Sequence, residues 1–179
     1  MNKRIINKIL TENKNTWEYT QYIQELKDGR KYITNGEIAI IFNQEEPLIE
    51  GYKTRQGIEL EDTERKYEKI KEEDIEIIKS LTEYKEYIQD INKEAEYITP
   101  KRIIINNEEI KVKHIERMVD VIGRRQIQKI EYAKDKNKKL YIHTEKYNLI
   151  LPIDIPDTQE IKKMKRVQEE FIERNRNSA

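Results

Sequence analysis

The residues of this chain whose types and spacing suit them to chemistry are basic, and they collect on two segments with helical periodicity. The basic residues concerned are Lys3, Arg4, Lys8, Lys113, Arg117, Arg124 and Arg125. The Arg124-Arg125 pair is the most specific of them, because it follows Gly123 at a predicted turn, where two guanidinium groups can fork onto phosphate oxygens. The alternative is an ordinary solvated helix surface, which basic residues commonly form in a lysine-rich chain.

Acidic residues form a second candidate group, at the start of a long amphipathic segment. They are Glu72, Glu73, Asp74 and Glu76. Carboxylates in the first turn of a helix are stabilised by the helix dipole, so a helix start explains their position. The functional alternative is a negatively charged surface that binds a partner.

No catalytic or metal-binding motif is present in the sequence. Cysteine is absent, which excludes disulfides and thiolate metal sites, and His114 and His143 are the only histidines. Ser80 and Ser178 have no neighbouring base or glycine-rich elbow, which argues against a serine hydrolase. We therefore expect a protein that is not an enzyme and that uses no metal or cofactor.

The composition predicts one heavily charged domain. The apolar fraction is 36% and the charged fraction 39%, against typical values of roughly 45–50% and about 25%. Residues 45–96 hold 17 acidic and 9 basic residues, and the rest of the chain holds 18 acidic and 26 basic residues. This split suggests a basic body with an acidic insertion, and a basic body is a candidate for phosphate contact. Without a signal peptide or about 18 consecutive apolar residues, we expect a cytoplasmic protein with no membrane partner.

Local patterns predict a helix and then three strands in the first part of the chain. The helix covers residues 3–13, where isoleucines and a leucine recur at helical spacing. Asp28-Gly29 and Asn35-Gly36 indicate hairpin turns, since glycine adopts positive φ without a Cβ clash. The three strands are predicted at residues 16–26, 30–34 and 37–43.

A similar order recurs after residue 100, so that residues 1–43 and 101–155 form a loose repeat. An extended segment at 101–112 contains a turn or bulge at Asn106-Asn107, and a helix at 113–122 ends at Gly123. Strands follow at residues 126–132, 140–144 and 147–155. A long helix is predicted at about 72–92, between the two halves. A narrow apolar stripe in residues 158–175 predicts a helix that docks on the body or pairs with another copy as a homo-oligomer.

Four strings, in the same order along the chain, resemble a DNA sliding-clamp domain of the bacterial and phage type. They are GRKYITNGEIAIIF, ERKYEKIK, IKVKHIERMVDVIG and KKLYIHTEKYNLILPI. The first string has Asn35 where such domains have aspartate in a Thr-Asp-Gly-like turn. The second lacks the proline of their Pro-x-Tyr-Glu stretch. The resemblance covers about 110 of the 179 residues.

The resemblance implies an α+β fold over residues 1–155, in which a clamp-like antiparallel sheet carries two short helices on one face. Residues 45–98 would be an insertion that contains the acidic helix, and residues 156–179 would form a C-terminal amphipathic helix. Bacterial clamp subunits hold three such domains and close as dimers. A ring built from this single-domain chain would therefore need six copies.

The resemblance also implies a function. The helices of clamps meet the phosphates of double-stranded DNA without reading bases, so the basic residues named above become expected nucleic-acid contacts. We expect a non-enzymatic, sliding-clamp-like protein of a phage or mobile element that contacts DNA or tethers a DNA-processing protein. The alternative is an anti-CRISPR-like inhibitor that binds a host defence nuclease through the acidic insertion. Deletion of residues 72–96 is expected to abolish only the second activity, and charge reversal at Arg124 and Arg125 only the first.

Overall fold

The computed structural model of the chain describes residues 1–60, 65–93, 101–134, 139–154 and 158–179. Its α-helices are α1 (Lys3–Glu12), α2 (Glu72–Lys79), α3 (Leu81–Ile91), α4 (Val112–Ile122) and α5 (Thr158–Ser178). Its 3₁₀ helices cover Glu18–Gln21, Pro47–Ile49 and Arg124–Lys129. Its strands are β1 (Ile23–Glu25), β2 (Lys31–Thr34), β3 (Ala39–Phe42), β4 (Thr54–Gln56), β5 (Glu68–Lys69), β6 (Arg102–Ile105), β7 (Glu108–Lys111), β8 (Glu131–Lys134), β9 (Lys139–His143) and β10 (Tyr147–Pro152).

The main sheet has eight strands in the order β4-β1-β2-β3-β10-β9-β8-β5. Within the described residues, the pairing of β1 with β4 is parallel and the other pairings of this sheet are antiparallel. The strands β6 and β7 form a separate two-stranded hairpin. The chain therefore has the predicted α+β fold.

The six central strands come from two halves with the same order of elements. In each half an α-helix leads into a 3₁₀ helix and then into three antiparallel strands, which are β1–β3 after α1 and β8–β10 after α4. The last strands of the two halves, β3 and β10, pair directly, with Leu149 opposite Ile40. The predicted repeat is confirmed in this form, and its two halves share one continuous sheet.

The two glycine turns of the first half form as predicted. Gly29 has a φ of 85° between β1 and β2, and Gly36 has a φ of 89° between β2 and β3. The side chain of Asn35 completes the second turn, since its Oδ1 accepts hydrogen bonds from the backbone N–H groups of Glu37 and Ile38 at 3.0 and 2.9 Å. The ring of Trp17 lies directly over Gly36, where a Cβ atom would come within 2.2 Å of it.

One face of the sheet and the helices share a single large hydrophobic core. Ile9 from α1, Met118 from α4, and Ile40 and Leu149 from the sheet are all in it. The segment predicted as an insertion joins the same core through Ile77, Ile78, Leu81, Tyr84 and Ile88 of α2 and α3. Helix α5 also docks there through Met164, Val167, Phe171 and Ile172, so the apolar stripe on which pairing with another copy depended is buried within the chain.

The second face of the sheet carries a smaller apolar cluster, against which described residues between β4 and β5 pack. Described residues on both sides of 61–64 lie on this face, because Leu60 and Tyr67 pack against the cluster. The guanidinium of Arg65 lies 3.5 Å from the ring centre of Tyr141. The hydroxyl of Tyr32 donates a hydrogen bond to the carbonyl of Ile58 at 3.1 Å.

Three predicted elements differ from the structure. The strand predicted at 16–26 is a 3₁₀ helix followed by only three strand residues, and the strand predicted at 126–132 begins at Glu131 after another 3₁₀ helix. The helix predicted at 72–92 is broken at Ser80, whose φ and ψ of −114° and 28° leave helical geometry. In the helical segment the apolar spacing does predict the buried side, since Ile78, Leu81, Tyr84 and Ile88 are buried. In residues 16–26 the predicted alternation fails, because Thr20 is buried and Gln21 is exposed. Within the described residues, no helix is both long and apolar enough to cross a lipid bilayer.

Candidate nucleic-acid interface

Helix α1 presents three basic side chains to solvent. The helix starts at an N-cap, since the Asn2 side chain accepts a hydrogen bond from the Ile5 N–H at 3.1 Å. Ile6, Ile9 and Leu10 are buried on the opposite side, so Lys3, Arg4 and Lys8 are exposed. None of these three cations forms an ion pair with a residue of the described ranges. The Lys3 ammonium does lie 6.0 Å from the ring centre of Tyr52.

The Arg124-Arg125 pair lies where the sequence predicts it, just after the end of α4. Gly123 ends the helix with a φ of 88°, and the backbone then turns into the 3₁₀ helix Arg124–Lys129. Ile127 is fully buried and anchors this turn, which leaves Arg124, Arg125 and Lys129 exposed. These three side chains also make no ion pair within the part of the chain that the structure describes.

The start of α1, the end of α4 and the turn between β9 and β10 converge around one cavity. The cavity has a volume of about 380 Å³, and its wall includes Met1, Ile122, Lys129 and Lys146. Lys3, Arg4 and Lys8 follow Met1 within two helical turns, and Arg124 and Arg125 precede Lys129 in the same 3₁₀ helix. We call the following set the cationic surface: Lys3, Arg4, Lys8, Arg124, Arg125, Lys129 and Lys146.

Arg117, one of the expected nucleic-acid contacts, does not face solvent. The residue is only 8% exposed. Its Nη2 donates a hydrogen bond to Glu12 Oε2 on α1 at 3.1 Å, and its Nη1 lies 3.7 Å from Asp120 Oδ2. Arg117 therefore ties α1 to α4 and is not presented to an external phosphate.

Lys113 is exposed but already has a counterion. Its ammonium donates a hydrogen bond to Glu37 Oε2 at 2.7 Å, and this bond is the main reason that the pKa of Glu37 is lowered. Farther along α4, Glu116 accepts a hydrogen bond from Lys85 of α3 at 2.7 Å. The outward side of α4 is therefore close to electrically neutral, in contrast to α1.

The four acidic residues predicted to bind a partner divide into two pairs. Glu72 and Glu73 are exposed, and neither forms an ion pair with a described residue. Asp74 is half-buried and accepts a hydrogen bond from the Asn106 N–H at 2.9 Å, and burial raises its pKa. Glu76 forms an ion pair with Arg176 of α5. Asp74 and Glu76 therefore hold the β6–β7 turn and α5 against α2.

The two histidines lie on different elements. His114 is on the buried side of α4, and this desolvation lowers its pKa. His143 lies on β9, where its Nδ1 is 2.7 Å from Asn148 Oδ1. Within the described ranges, no group of three or more histidine, aspartate or glutamate side chains could hold a metal ion.

Two members of the cationic surface, Lys129 and Lys146, were missed at the sequence level. Lys129 fell inside a predicted strand, and Lys146 lies in a hairpin turn beside Glu145, where its charge looks compensated. Only the convergence of the 3₁₀ helix with the β9–β10 turn brings the two lysines to one cavity.

Comparison of the chain with protein-family models, with curated proteins and with solved structures finds no match. The resemblance to sliding-clamp domains thus rests on the four sequence strings alone. The residues and their geometry carry the functional argument that follows.

Proposed function

We propose that this protein is a non-enzymatic DNA-binding protein that holds double-stranded DNA by phosphate contacts through the cationic surface. The observation that carries the proposal is the contrast between that surface and α4. On α4, Lys113 and Arg117 are neutralised by carboxylates of other elements. The seven cations of the cationic surface are exposed without such partners in the described chain, and they lie on elements that meet at one cavity.

The side chains concerned favour contact with the phosphate backbone over reading of bases. They are exposed lysines and arginines on helices and one turn, and each can hold a phosphate without entering a groove. Binding of this kind is sequence-independent and weakens steeply with salt, because counterions are released from the DNA. A sliding-clamp-like use of the surface, or tethering of a DNA-processing protein, is compatible with this chemistry.

A salt titration of binding to a duplex of arbitrary sequence tests the proposal. The logarithm of the binding constant falls with the logarithm of salt with a slope of about −0.9 per phosphate neutralised. If all seven cations engage, the slope is about −6. Arg124→Glu with Arg125→Glu removes two contacts, so the slope should become shallower by about 2, with a loss of affinity at every salt concentration.

A matched control is provided by two exposed arginines on α5. Arg166→Glu with Arg174→Glu makes the same change in net charge away from the cationic surface. This variant should keep the wild-type slope. Equal binding by the wild type and the Arg124/Arg125 variant, or equal losses in both variants, would contradict the proposal. Duplexes of unrelated sequence should bind equally.

A second candidate function is inhibition of a basic protein such as a host defence nuclease, as an anti-CRISPR-like protein would act. It is favoured by exposed carboxylates on α2 and α3, since Glu72, Glu73, Glu83 and Glu86 form no ion pair within the described residues. Deletion of residues 72–96 does not test this function, because α2 and α3 contribute to the core. Glu83→Lys with Glu86→Lys should abolish inhibition of the nuclease while leaving DNA binding intact.

A further inference from the structure

The cavity of the cationic surface has two lysines on its wall and a size that suits a small ligand. Lys129 comes from the 3₁₀ helix after α4 and Lys146 from the β9–β10 turn. Its volume of about 380 Å³ lies within the roughly 300–1,000 Å³ of small-molecule sites. An internal phosphate of DNA carries one negative charge, whereas a phosphomonoester carries nearly two at neutral pH. Two lysines around one cavity therefore match a phosphomonoester better than an internal phosphodiester.

The turn that carries Lys146 is held in a fixed conformation. The Thr144 hydroxyl donates a hydrogen bond to the Tyr147 carbonyl at 2.9 Å and accepts one from the Tyr147 N–H at 3.0 Å. The Tyr147 hydroxyl donates to Glu46 Oε2 at 3.1 Å, and burial raises the pKa of this tyrosine to about 12. Little ordering of the turn is needed when an anion binds, which favours affinity.

The remaining wall suits the rest of a nucleotide. Met1, which is half-buried, and the edge of Ile122 line the cavity with apolar atoms, which a nucleobase can contact with its face. Gln126 lies on the wall and is exposed, with no hydrogen bond from its side chain to a described residue. A free carboxamide has both a donor and an acceptor, and it can pair with the edge of a base.

We propose that this cavity binds a nucleoside monophosphate group, and that the group is the phosphorylated terminal nucleotide of a DNA strand. The preference of the cavity for DNA ends rests on the proposed DNA-binding function. Binding of a nucleoside monophosphate in the cavity does not depend on that function. Among the described residues that line the cavity only Glu145 is acidic, and it opposes an anion. Its charge sets the affinity lower than the lysines alone would give.

Binding of three blunt duplexes of one sequence tests the preference for ends. They carry a phosphate at the 5′ ends, at the 3′ ends or at neither, and a closed circle of the same sequence serves as the end-free reference. Either the duplex with 5′ phosphates or the duplex with 3′ phosphates should bind about tenfold more tightly than the unphosphorylated duplex, as expected for a charge-assisted contact. Lys129→Gln with Lys146→Gln should abolish this difference, and Glu145→Gln should enlarge it severalfold.

The control variant is Lys14→Gln with Lys162→Gln, because both lysines are exposed and neither lines the cavity. It should keep the full preference for the phosphorylated end. If all three duplexes and the circle bind with equal affinity per site, the preference for ends is wrong while the proposed function stands. If no DNA binds, the proposed function is wrong.

Free ligands separate the two sources of the nucleotide. Deoxyadenosine monophosphate, deoxyadenosine and inorganic phosphate are each titrated while the resonances of the lining residues are followed by NMR. The monophosphate should bind more tightly than either fragment, and this difference should be lost in the Lys129/Lys146 variant. Binding of the monophosphate without any preference for DNA ends would assign the cavity to a free nucleotide. Equal or absent responses to all three ligands would overturn the proposal.

Discussion

Replacing Arg102 with methionine should destabilise the protein more than any other single change to an ion pair. Arg102 on β6 donates a hydrogen bond from Nη1 to Glu109 Oε1 on β7 at 2.7 Å. The side chain of Glu109 is 1% exposed, and its Oε2 has no hydrogen-bond partner in the described chain. Methionine preserves the apolar stem of the arginine but leaves the buried carboxylate without its cation.

The expected loss follows from the burial of the two partners. Breaking a buried ion pair by removing one partner costs about 3–5 kcal/mol. Arg102 is 39% exposed, so solvent already screens part of the attraction, and we expect about 2–3 kcal/mol. For a chain of this length, each kcal/mol lowers Tm by roughly 2–4 °C, which gives a decrease of about 4–12 °C.

A double-mutant cycle with urea unfolding at pH 7 measures this coupling. Glu109→Leu with Arg102→Met replaces the whole pair with apolar groups, and such replacements are often neutral or stabilising. The double variant should therefore be more stable than Arg102→Met alone by at least about 1 kcal/mol. If the free energy of unfolding falls by less than about 1 kcal/mol in the single variant, or does not recover in the double variant, the buried carboxylate does not depend on Arg102.

Three further variants test the core, a turn and the pH dependence. Tyr84→Phe should raise the free energy of unfolding by about 1 kcal/mol, because the fully buried hydroxyl has no hydrogen-bond partner in the described chain. A decrease in the free energy of unfolding would show that the hydroxyl has a partner. Gly36→Ala should lower the free energy of unfolding in urea by about 2–4 kcal/mol, because it adds both backbone strain and a clash with Trp17. Gly29→Ala should add only the strain, so equal losses in the two variants would contradict this expectation. Desolvation lowers the pKa of His114, so the neutral histidine stabilises the fold above about pH 6.5. Unfolding midpoints should therefore fall as the pH drops below that value, and they should fall less steeply in His114→Gln.

Much of the fold could be predicted from the sequence because its signals are local. Asp28-Gly29 and Asn35-Gly36 determine two hairpins through positive φ, and Gly123 ends α4 in the same way. At Asn106-Asn107 both residues have positive φ, of 48° and 63°, which matches the turn predicted inside residues 101–112. The 3₁₀ helices were missed because aromatic and β-branched residues around them have the composition of strands.

The site could be predicted only in part, because charge pairing is a tertiary property. Arg117 and Lys113 have the same helical exposure pattern as Lys8 in the sequence, yet Glu12 and Glu37 neutralise the first two from distant positions in the chain. The pairing of Asp74 with the Asn106 backbone likewise depends on how α2 meets the β6–β7 turn. Exposed residues with no counterion are therefore identifiable only once the fold is known.

Deletion of residues 72–96 was predicted to leave DNA binding intact, but the position of this segment in the fold argues against that. Helix α2 packs beside the 3₁₀ helix that carries Arg124 and Arg125, and Lys79 donates a hydrogen bond to Gln128 of that helix at 2.7 Å. Removal of residues 72–96 would also expose the core around Ile77 and Ile88. Loss of DNA binding in that deletion would therefore say nothing about which surface binds DNA.

A net charge of zero is compatible with DNA binding because the opposite charges lie on separate helices. Glu12 of α1 pairs with Arg117 and Lys85 of α3 pairs with Glu116, so α1 and α3 meet different sides of α4. Adjacent helix residues point about 100° apart, so with packed helices roughly 8–10 Å apart the axes of α1 and α3 lie about 12–15 Å from each other. The Debye length is about 8 Å at physiological ionic strength, so the carboxylates of α3 barely reduce the attraction of phosphate to α1. At about 0.01 M salt it grows to about 30 Å, and there the acidic helix should weaken binding and flatten the salt dependence.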